Sequence, residues 1–194
     1  FLVALNKKMR DLKWFKTNNI NEPNILKFLD LVCLGTICDV VPLVEFNRAI
    51  VTQGLKILKN RSNLGLKTLY DMCNIQSQPT PYHLGFLIGP RINAGGRVGK
   101  SSYGAELLTS NNSKRAYKIA NELSNYNKQR QEMEKELLTN VDLQAEKSSR
   151  DPILILSGEN WHEGIIGIIA SRIKDKYHKP TFIISLKGTN GKGS

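Results

Sequence analysis

The protein has 194 residues, of which 40% are hydrophobic, and its 28 Lys and Arg against 17 Asp and Glu give a formal net charge of +11. This composition excludes a disordered or fibrous chain, and the short apolar runs exclude a membrane-spanning helix, which needs roughly 20 apolar residues. A pI near 9.6 favours a polyanionic partner, with nucleic acid the first candidate and an acidic membrane surface the second. The alternative is that the positive charge reflects only a basic bias of the whole proteome and implies no partner.

The first 75 or so residues are predicted to be helical. An amphipathic helix opens the chain at Phe1, and a helix over 25–40, apolar on most faces, is expected to be buried. Two further helices follow over 47–58, where Asn47 is the expected cap, and over 66–73. Because the chain begins inside a helix and stops in a Gly-rich turn, we expect a fragment of a longer protein.

The middle of the chain changes character twice. Gly89–Gly99 holds four glycines and two arginines and is predicted to be a loop whose backbone passes close to another group, and a helix follows over 101–110. From Ser113, the expected cap, to Lys147 there is neither Gly nor Pro, which predicts a partly solvated helix of about 50 Å. Such a helix either bridges two lobes or lies on the surface of a single bundle.

The last part of the chain has the pattern of a parallel sheet. A short apolar strand over 153–156, a helix over 165–177 and a second strand over 181–186 form a predicted βαβ unit. We expect it to belong to a second domain that starts near residue 150, and the Gly-rich stretch 187–194 to turn between two strands.

Asp39 is the carboxylate of greatest interest. It stands among apolar residues near the end of a predicted helix, where burying a charge is costly unless it is paired or bound to a cation. One interpretation is a ligand of Mg²⁺ or Mn²⁺, which prefer carboxylate oxygens. The alternative is a structural aspartate that caps the helix or pairs with an arginine. No companion cluster of Asp and His occurs in the sequence.

The glycine-rich segment suits a phosphate backbone. Arg91 and Arg97 supply charge and forked donors, Asn93 supplies an amide, and glycines let backbone N–H groups approach an anion. The pattern is not a Walker loop, and Gly-rich turns are common in proteins that bind no phosphate.

A third candidate segment joins the predicted strand to the helix of the second domain. Trp161, His162 and Gly164 would lie at the carboxyl end of the strand, where open parallel sheets bind ligands. The helix N-terminus there favours an anion, Trp161 could stack on a base, and His162 could donate to a phosphate. The alternative is a tryptophan packed under a loop beside a hydrogen-bonded histidine.

These three segments, in this order, resemble motifs of the RecJ family of DHH phosphoesterases, which are single-stranded-DNA-specific exonucleases. Residues 31–43 resemble the last metal motif of the DHH core. Residues 85–97 resemble the signature between core and linker, with Gly95 where alanine is more usual. Residues 161–172 resemble the opening of the DHH-associated domain. The match covers nearly the whole chain.

The resemblance implies an α/β fold in three parts. Residues 1–112 would be the mostly helical C-terminal part of a DHH core, 113–150 a linker helix, and 151–194 the start of a βαβ DHH-associated domain. It implies 5′→3′ hydrolysis of single-stranded DNA with Mn²⁺ or Mg²⁺ in repair and recombination. Asp39 would be a metal ligand and catalytic residue. The DNA-binding residues would be Arg91, Asn93, Arg97, Trp161, His162 and Gly164.

The sequence also departs from the family pattern. The D-x-D and Asp-His-His motifs do not occur, so we expect these residues alone to lack most metal ligands and nuclease activity. Three cysteines without C-x-x-C spacing favour a reducing compartment, and we expect a cytoplasmic monomer with no membrane partner. Single-strand-binding protein or a helicase are further candidate partners. The alternatives are a non-catalytic nucleic-acid-binding remnant and a DHH phosphoesterase acting on short oligonucleotides or cyclic dinucleotides.

Overall fold

A computed structural model describes residues 1–194. The protein is mostly helical with one small three-stranded sheet, which confirms the expected α/β class. Its contacts divide it into two compact units, Phe1–Gly89 and Pro90–Ser194, and each is described by itself. The three-part division at residues 112 and 150 stays a prediction. No helix is long and apolar enough to cross a bilayer.

The first unit is helical throughout. Its elements are α1 (Leu2–Asp11), α2 (Trp14–Thr17), a 3₁₀ turn (Ile25–Phe28), α3 (Leu29–Cys38), α4 (Glu45–Leu58), α5 (Leu64–Met72) and a wide π-type turn (His83–Ile88). Helix α3 lies at the centre, against α4 and the wide turn. A Cβ at Gly54 would lie 2.3 Å from the Cβ of Cys33 and 2.4 Å from the Leu29 carbonyl oxygen, so only glycine permits this α3–α4 approach.

The helix predicted over 25–40 is divided and less buried than expected. The Asn24 side chain accepts a hydrogen bond from the N–H of Leu26 at 3.1 Å, which starts the 3₁₀ turn before α3 begins. Because α4 and the wide turn pack on only part of this segment, several of its apolar side chains remain exposed. These are Leu26, Phe28 and Val32.

Two predicted caps are wrong. Asn47 lies inside the first turn of α4, where its amide donates to the carbonyl of Pro42 at 3.1 Å. The long helix is capped by Asn112, whose side chain accepts a hydrogen bond from the backbone N–H of the third residue beyond it, and Ser113 is the first helical residue. Helix α4 begins after Val44, which has no side-chain acceptor, so no polar cap marks its boundary. Before α8, the adjacent Asn112 and Ser113 are both good cap candidates.

The second unit combines helices with the sheet. It contains most of α6 (Gly89–Val98), followed by α7 (Tyr103–Leu108), α8 (Ser113–Lys147), β1 (Leu154–Glu159), α9 (Glu163–Tyr177), β2 (Thr181–Lys187) and β3 (Asn190–Gly193). The long α8 matches its predicted bounds, and at 35 residues it spans about 50 Å.

The prediction of a loop over 89–99 is wrong, because these residues form α6. Pro90 is the second residue of α6, which continues directly from the wide turn over His83–Ile88. A Cβ at Gly95 would lie 2.7 Å from the Lys100 carbonyl oxygen and 3.0 Å from Leu123. This glycine therefore permits close packing and does not mark a flexible loop.

The predicted βαβ unit is confirmed. Strands β1 and β2 are parallel, with Leu154 opposite Thr181, and β3 returns antiparallel through a turn at Gly188, whose φ is 59°. Helices α8 and α9 cover one face of the sheet. The core between them includes Leu137, Val141, Leu154, Leu156, Ile165, Ile169, Ile173 and Ile183.

A buried charge cluster ties α8 to α9. Glu134 is 2% exposed and accepts hydrogen bonds from Arg130, one turn earlier on α8, and from Arg172 of α9 at 2.9 Å. Two cations and their hydrogen bonds compensate for the burial of this carboxylate. The Glu134 carboxylate thus links α8 to α9.

Candidate nucleic-acid interface

Asp39 terminates α3 and is exposed. Its backbone N–H donates to the Gly35 carbonyl at 2.9 Å, and the next two residues close the helix end: the N–H of Val40 bonds to Ile37 and that of Val41 to Thr36. This is the Schellman arrangement. The exposure of Asp39 removes the burial cost on which the sequence argument for a paired or metal-bound carboxylate rested.

The residue after Asp39 is strained. Val40 occupies the left-handed position of the Schellman arrangement with φ 54°, where glycine is usual, and its side chain is 85% exposed. A β-branched residue in this conformation costs free energy and gains little burial in return. Strain of this kind clusters at functional sites, which makes the Asp39–Val40 end of α3 a candidate site on structural grounds.

The donor set around Asp39 is incomplete within this chain. No group of three or more His, Cys, Asp or Glu side chains is placed to hold a metal ion. Burial, with a smaller effect of Asp39, raises the pKa of the neighbouring Cys38 thiol to about 11, so this sulfur stays protonated and is a poor ligand. Asp39 fits a divalent cation as one carboxylate ligand, but the residues present do not form a complete site.

Helix α6 presents a polar face. Asn93, Gly96 and Arg97 are exposed on it, and a Cβ at Gly96 would meet no atom within 4 Å, so a ligand can approach there. Arg91 is half-buried. Because backbone N–H groups inside a helix bond to carbonyls of the preceding turn, the expected cradle of glycine N–H groups is wrong. Contacts with an anion would come from side chains.

The end of α6 packs directly on the start of α9. The Arg97 guanidinium donates to the Gly164 carbonyl at 3.2 Å, and a Cβ at Gly164 would lie 2.2 Å from the Arg97 carbonyl oxygen. Two segments 67 residues apart in sequence therefore meet in the second unit. The absence of a side chain at Gly164 is what permits this approach.

Trp161 and His162 match the alternative in which the tryptophan is packed and the neighbouring histidine is hydrogen-bonded. The half-buried Trp161 indole packs on the domain core and over Gly158, where a Cβ would lie 2.2 Å from the ring. The Nδ1 of His162 accepts the N–H of Gly164 at 3.1 Å and caps α9, so one of the free N–H groups expected at this helix end is already occupied. The other ring nitrogen of the exposed His162 is the one that can donate outward.

An open depression of about 810 Å³ adjoins Trp161 and His162. Its other side is formed by the β2–β3 hairpin, including Lys187 and Lys192, which the sequence argument did not single out. Lys192 bonds to Glu163 and lowers the pKa of that carboxyl. In the sequence, Lys187 and Lys192 flank the glycine-containing turn after the last predicted strand, and this pattern could have indicated a basic edge to the site.

The structure thus brings together four of the six predicted DNA-binding residues. Arg97, Trp161, His162 and Gly164 surround the contact between α6 and α9, with Asn93 one turn before Arg97 on the exposed face of α6. Asp39 belongs to the first unit.

The chain is similar to RecJ proteins over nearly its whole length. No protein-family model matches it. The single-stranded-DNA-specific exonuclease RecJ of Escherichia coli (strain K12) is 39% identical over 194 residues, which is 96% of this chain and 34% of that protein. RecJ of Thermus thermophilus is 33% identical over 183 residues, 94% of this chain and 26% of that protein.

The fold agrees with the sequence comparison. The crystal structure of Thermus thermophilus RecJ in complex with Mg²⁺ matches with a TM-score of 0.77 and 31% identity over 88% of this chain and 27% of that one. The chain is therefore similar in sequence and fold to a segment of RecJ proteins. A structure of Thermus thermophilus RecJ with Mn²⁺ matches equally well, with a TM-score of 0.77. The chain spans about a third of the length of the RecJ relative from Escherichia coli.

Proposed function

We propose that this chain contributes part of the DNA-contacting surface and one metal ligand to a RecJ-type exonuclease that removes nucleotides 5′→3′ from single-stranded DNA. The observation that carries the proposal is the similarity to RecJ over 96% of the chain, at 39% identity. The proposal includes the assignment of residues 1–112 to the DHH core, 113–150 to the linker and 151–194 to the DHH-associated domain.

Asp39 would be the metal ligand and catalytic residue of this segment, holding Mn²⁺ or Mg²⁺, the ions bound in RecJ of Thermus thermophilus. When bound in a complete site, such ions activate water and neutralise charge on the scissile phosphate. This chain supplies one exposed carboxylate at the end of α3. We expect it to be inactive alone, because one carboxylate does not hold a catalytic divalent ion.

The second unit would bind the strand. Arg97 and Asn93 would contact phosphates from the exposed face of α6, and the half-buried Arg91, two residues before Asn93, would be a further contact. On the other side of the α6–α9 contact, His162 would donate to a phosphate and Trp161 would support the loop next to Gly164. Side chains that contact phosphates set affinity and salt dependence without reading sequence.

The cellular role follows from the same assignment. As part of a RecJ-type nuclease the chain would act in DNA repair and recombination in the cytoplasm, as a monomer. Single-strand-binding protein or a helicase would be a further partner.

The test is binding of a fluorescent oligothymidylate to the 194-residue chain without metal, measured by anisotropy at several salt concentrations. Arg97→Ala should weaken binding several-fold and reduce the salt slope by about 0.7, the value for one phosphate contact on a single strand. Arg150→Ala, which removes an exposed arginine distant from the α6 face in sequence, is the matched control. Binding that ignores salt, or equal effects of both substitutions, would contradict the proposal.

A further inference from the structure

The wide turn before α6 carries an exposed pair of stacked aromatic rings. Tyr82 and Phe86 are 60% and 70% exposed, their ring centroids are 5.1 Å apart, and their planes differ by 26°. Two large rings that face water leave most of their apolar area unburied. Neither residue belongs to the site described above.

The pair stands on a rigid base. Leu84 and Ile88 of the same turn are fully buried, which anchors the turn in the first unit. The N–H of Thr80 donates to Nδ1 of His83 at 3.2 Å, and the N–H of His83 donates back to the Thr80 hydroxyl at 3.3 Å. Turns of the π type are rare and are frequent at functional sites.

The turn is attached to the end of α3 that bears Asp39. The Cys38 thiol contacts the Leu84 carbonyl oxygen at 3.8 Å, and a Cβ at Gly85 would lie 3.4 Å from Ile37. Ile37 and Cys38 immediately precede Asp39. The aromatic pair and the strained helix end therefore belong to one packed element of the first unit.

We propose that Tyr82 and Phe86 form a platform on which a base of the single strand stacks beside the end of α3. The inference rests on the proposed function, because it names a base contact for the same substrate. The first unit carries 11 Lys and Arg against 6 Asp and Glu, so its charge suits a polyanion. Planar rings on a fixed base suit bases, since every base offers a π-face whatever the sequence.

The experiment compares Phe86→Leu with Phe86→Trp in the 194-residue chain. Leucine keeps the apolar surface and loses the π-face, whereas tryptophan keeps the π-face. With an oligothymidylate of about 12 nucleotides, Phe86→Leu should weaken binding about tenfold and Phe86→Trp should retain it. Neither should change binding of an abasic strand of equal length, which has phosphates but no bases. Phe46→Leu, which alters a ring that is 75% exposed on α4, is the control.

The outcomes distinguish a failure of the aromatic platform from a failure of the proposed function. Because the Phe86 ring is exposed, all variants should melt at the temperature of the unaltered chain. Equal affinity of the leucine and tryptophan variants would overturn the platform and leave the proposed function standing. Equal losses on the thymidylate and abasic strands would also overturn it. If the unaltered chain failed to bind the thymidylate strand, both the platform and the proposed function would fall.

Discussion

Replacing Gly164 by alanine tests whether the contact between α6 and α9 holds the second unit together. The added Cβ would lie 2.2 Å from the Arg97 carbonyl oxygen, 3.0 Å from its carbonyl carbon and 3.1 Å from its Cα. All three are backbone atoms, so no side-chain rotation relieves the clash. The end of α6 would have to move away from α9, and the hydrogen bond from Arg97 would be lost.

The expected cost follows from these contacts. Overpacking costs about 1–3 kcal/mol, and the lost hydrogen bond about 0.5–1.5 kcal/mol. Alanine recovers at most about 1 kcal/mol of helix propensity at this position. We therefore expect Gly164→Ala to lower the free energy of unfolding by about 2 kcal/mol, which for a unit of this size lowers its Tm by roughly 10 °C.

The matched control is Gly96→Ala on the exposed face of α6. A Cβ at Gly96 meets nothing within 4 Å, so this substitution should raise the stability of the unit by up to about 1 kcal/mol. Calorimetry of the two variants and the unaltered chain measures both effects. Equal melting temperatures, or a more stable Gly164→Ala variant, would refute the packing argument.

Three other predictions concern buried or strained residues. Burial raises the pKa of Asp30, while a hydrogen bond from the Leu31 N–H acts in the opposite direction. The folded protein therefore favours the protonated carboxyl, whose contribution to stability is present below about pH 4 and is lost as pH rises through the folded pKa. Asp30→Asn should therefore unfold at higher urea than the unaltered chain at pH 7, with the difference vanishing near pH 3; a constant difference would contradict this. Glu134→Gln leaves buried Arg130 uncompensated and should cost about 3–5 kcal/mol in urea unfolding, whereas exposed Glu136→Gln should change little. Val40→Gly relieves the left-handed strain and should raise the free energy of unfolding by about 0.5–1 kcal/mol; a lower Tm would show that Val40 is not strained.

Long or periodic segments could be predicted from the sequence. The run from Ser113 to Lys147 has no Gly or Pro and carries apolar residues at helical spacing among charged ones, so local preference and tertiary packing agree on one helix. The strand–helix–strand pattern after residue 150 was equally clear, because its strands are short apolar runs separated by a helix-length segment.

The segment 89–99 could not be predicted in the same way. Glycine marks a loop when the backbone needs freedom, and marks close packing when a neighbour occupies the Cβ position. At Gly95 the neighbours are Lys100 and Leu123, which only the fold brings there. The contact of Arg97 with Gly164 joins residues 67 positions apart, so no local pattern contains it. The resemblance placed these motifs at one site, while the helical form of α6 came from the structure.

One measurement tests the account most directly: a 5′-labelled oligothymidylate is incubated with the 194-residue chain and Mn²⁺, and native and denaturing gels of the same reaction are compared. The proposed function gives the chain a DNA-contacting face on α6 and one candidate metal carboxylate, so we expect a shifted complex whose strand remains full length. Release of labelled nucleotide at a rate proportional to the protein concentration, or no shifted complex at low salt, would contradict it.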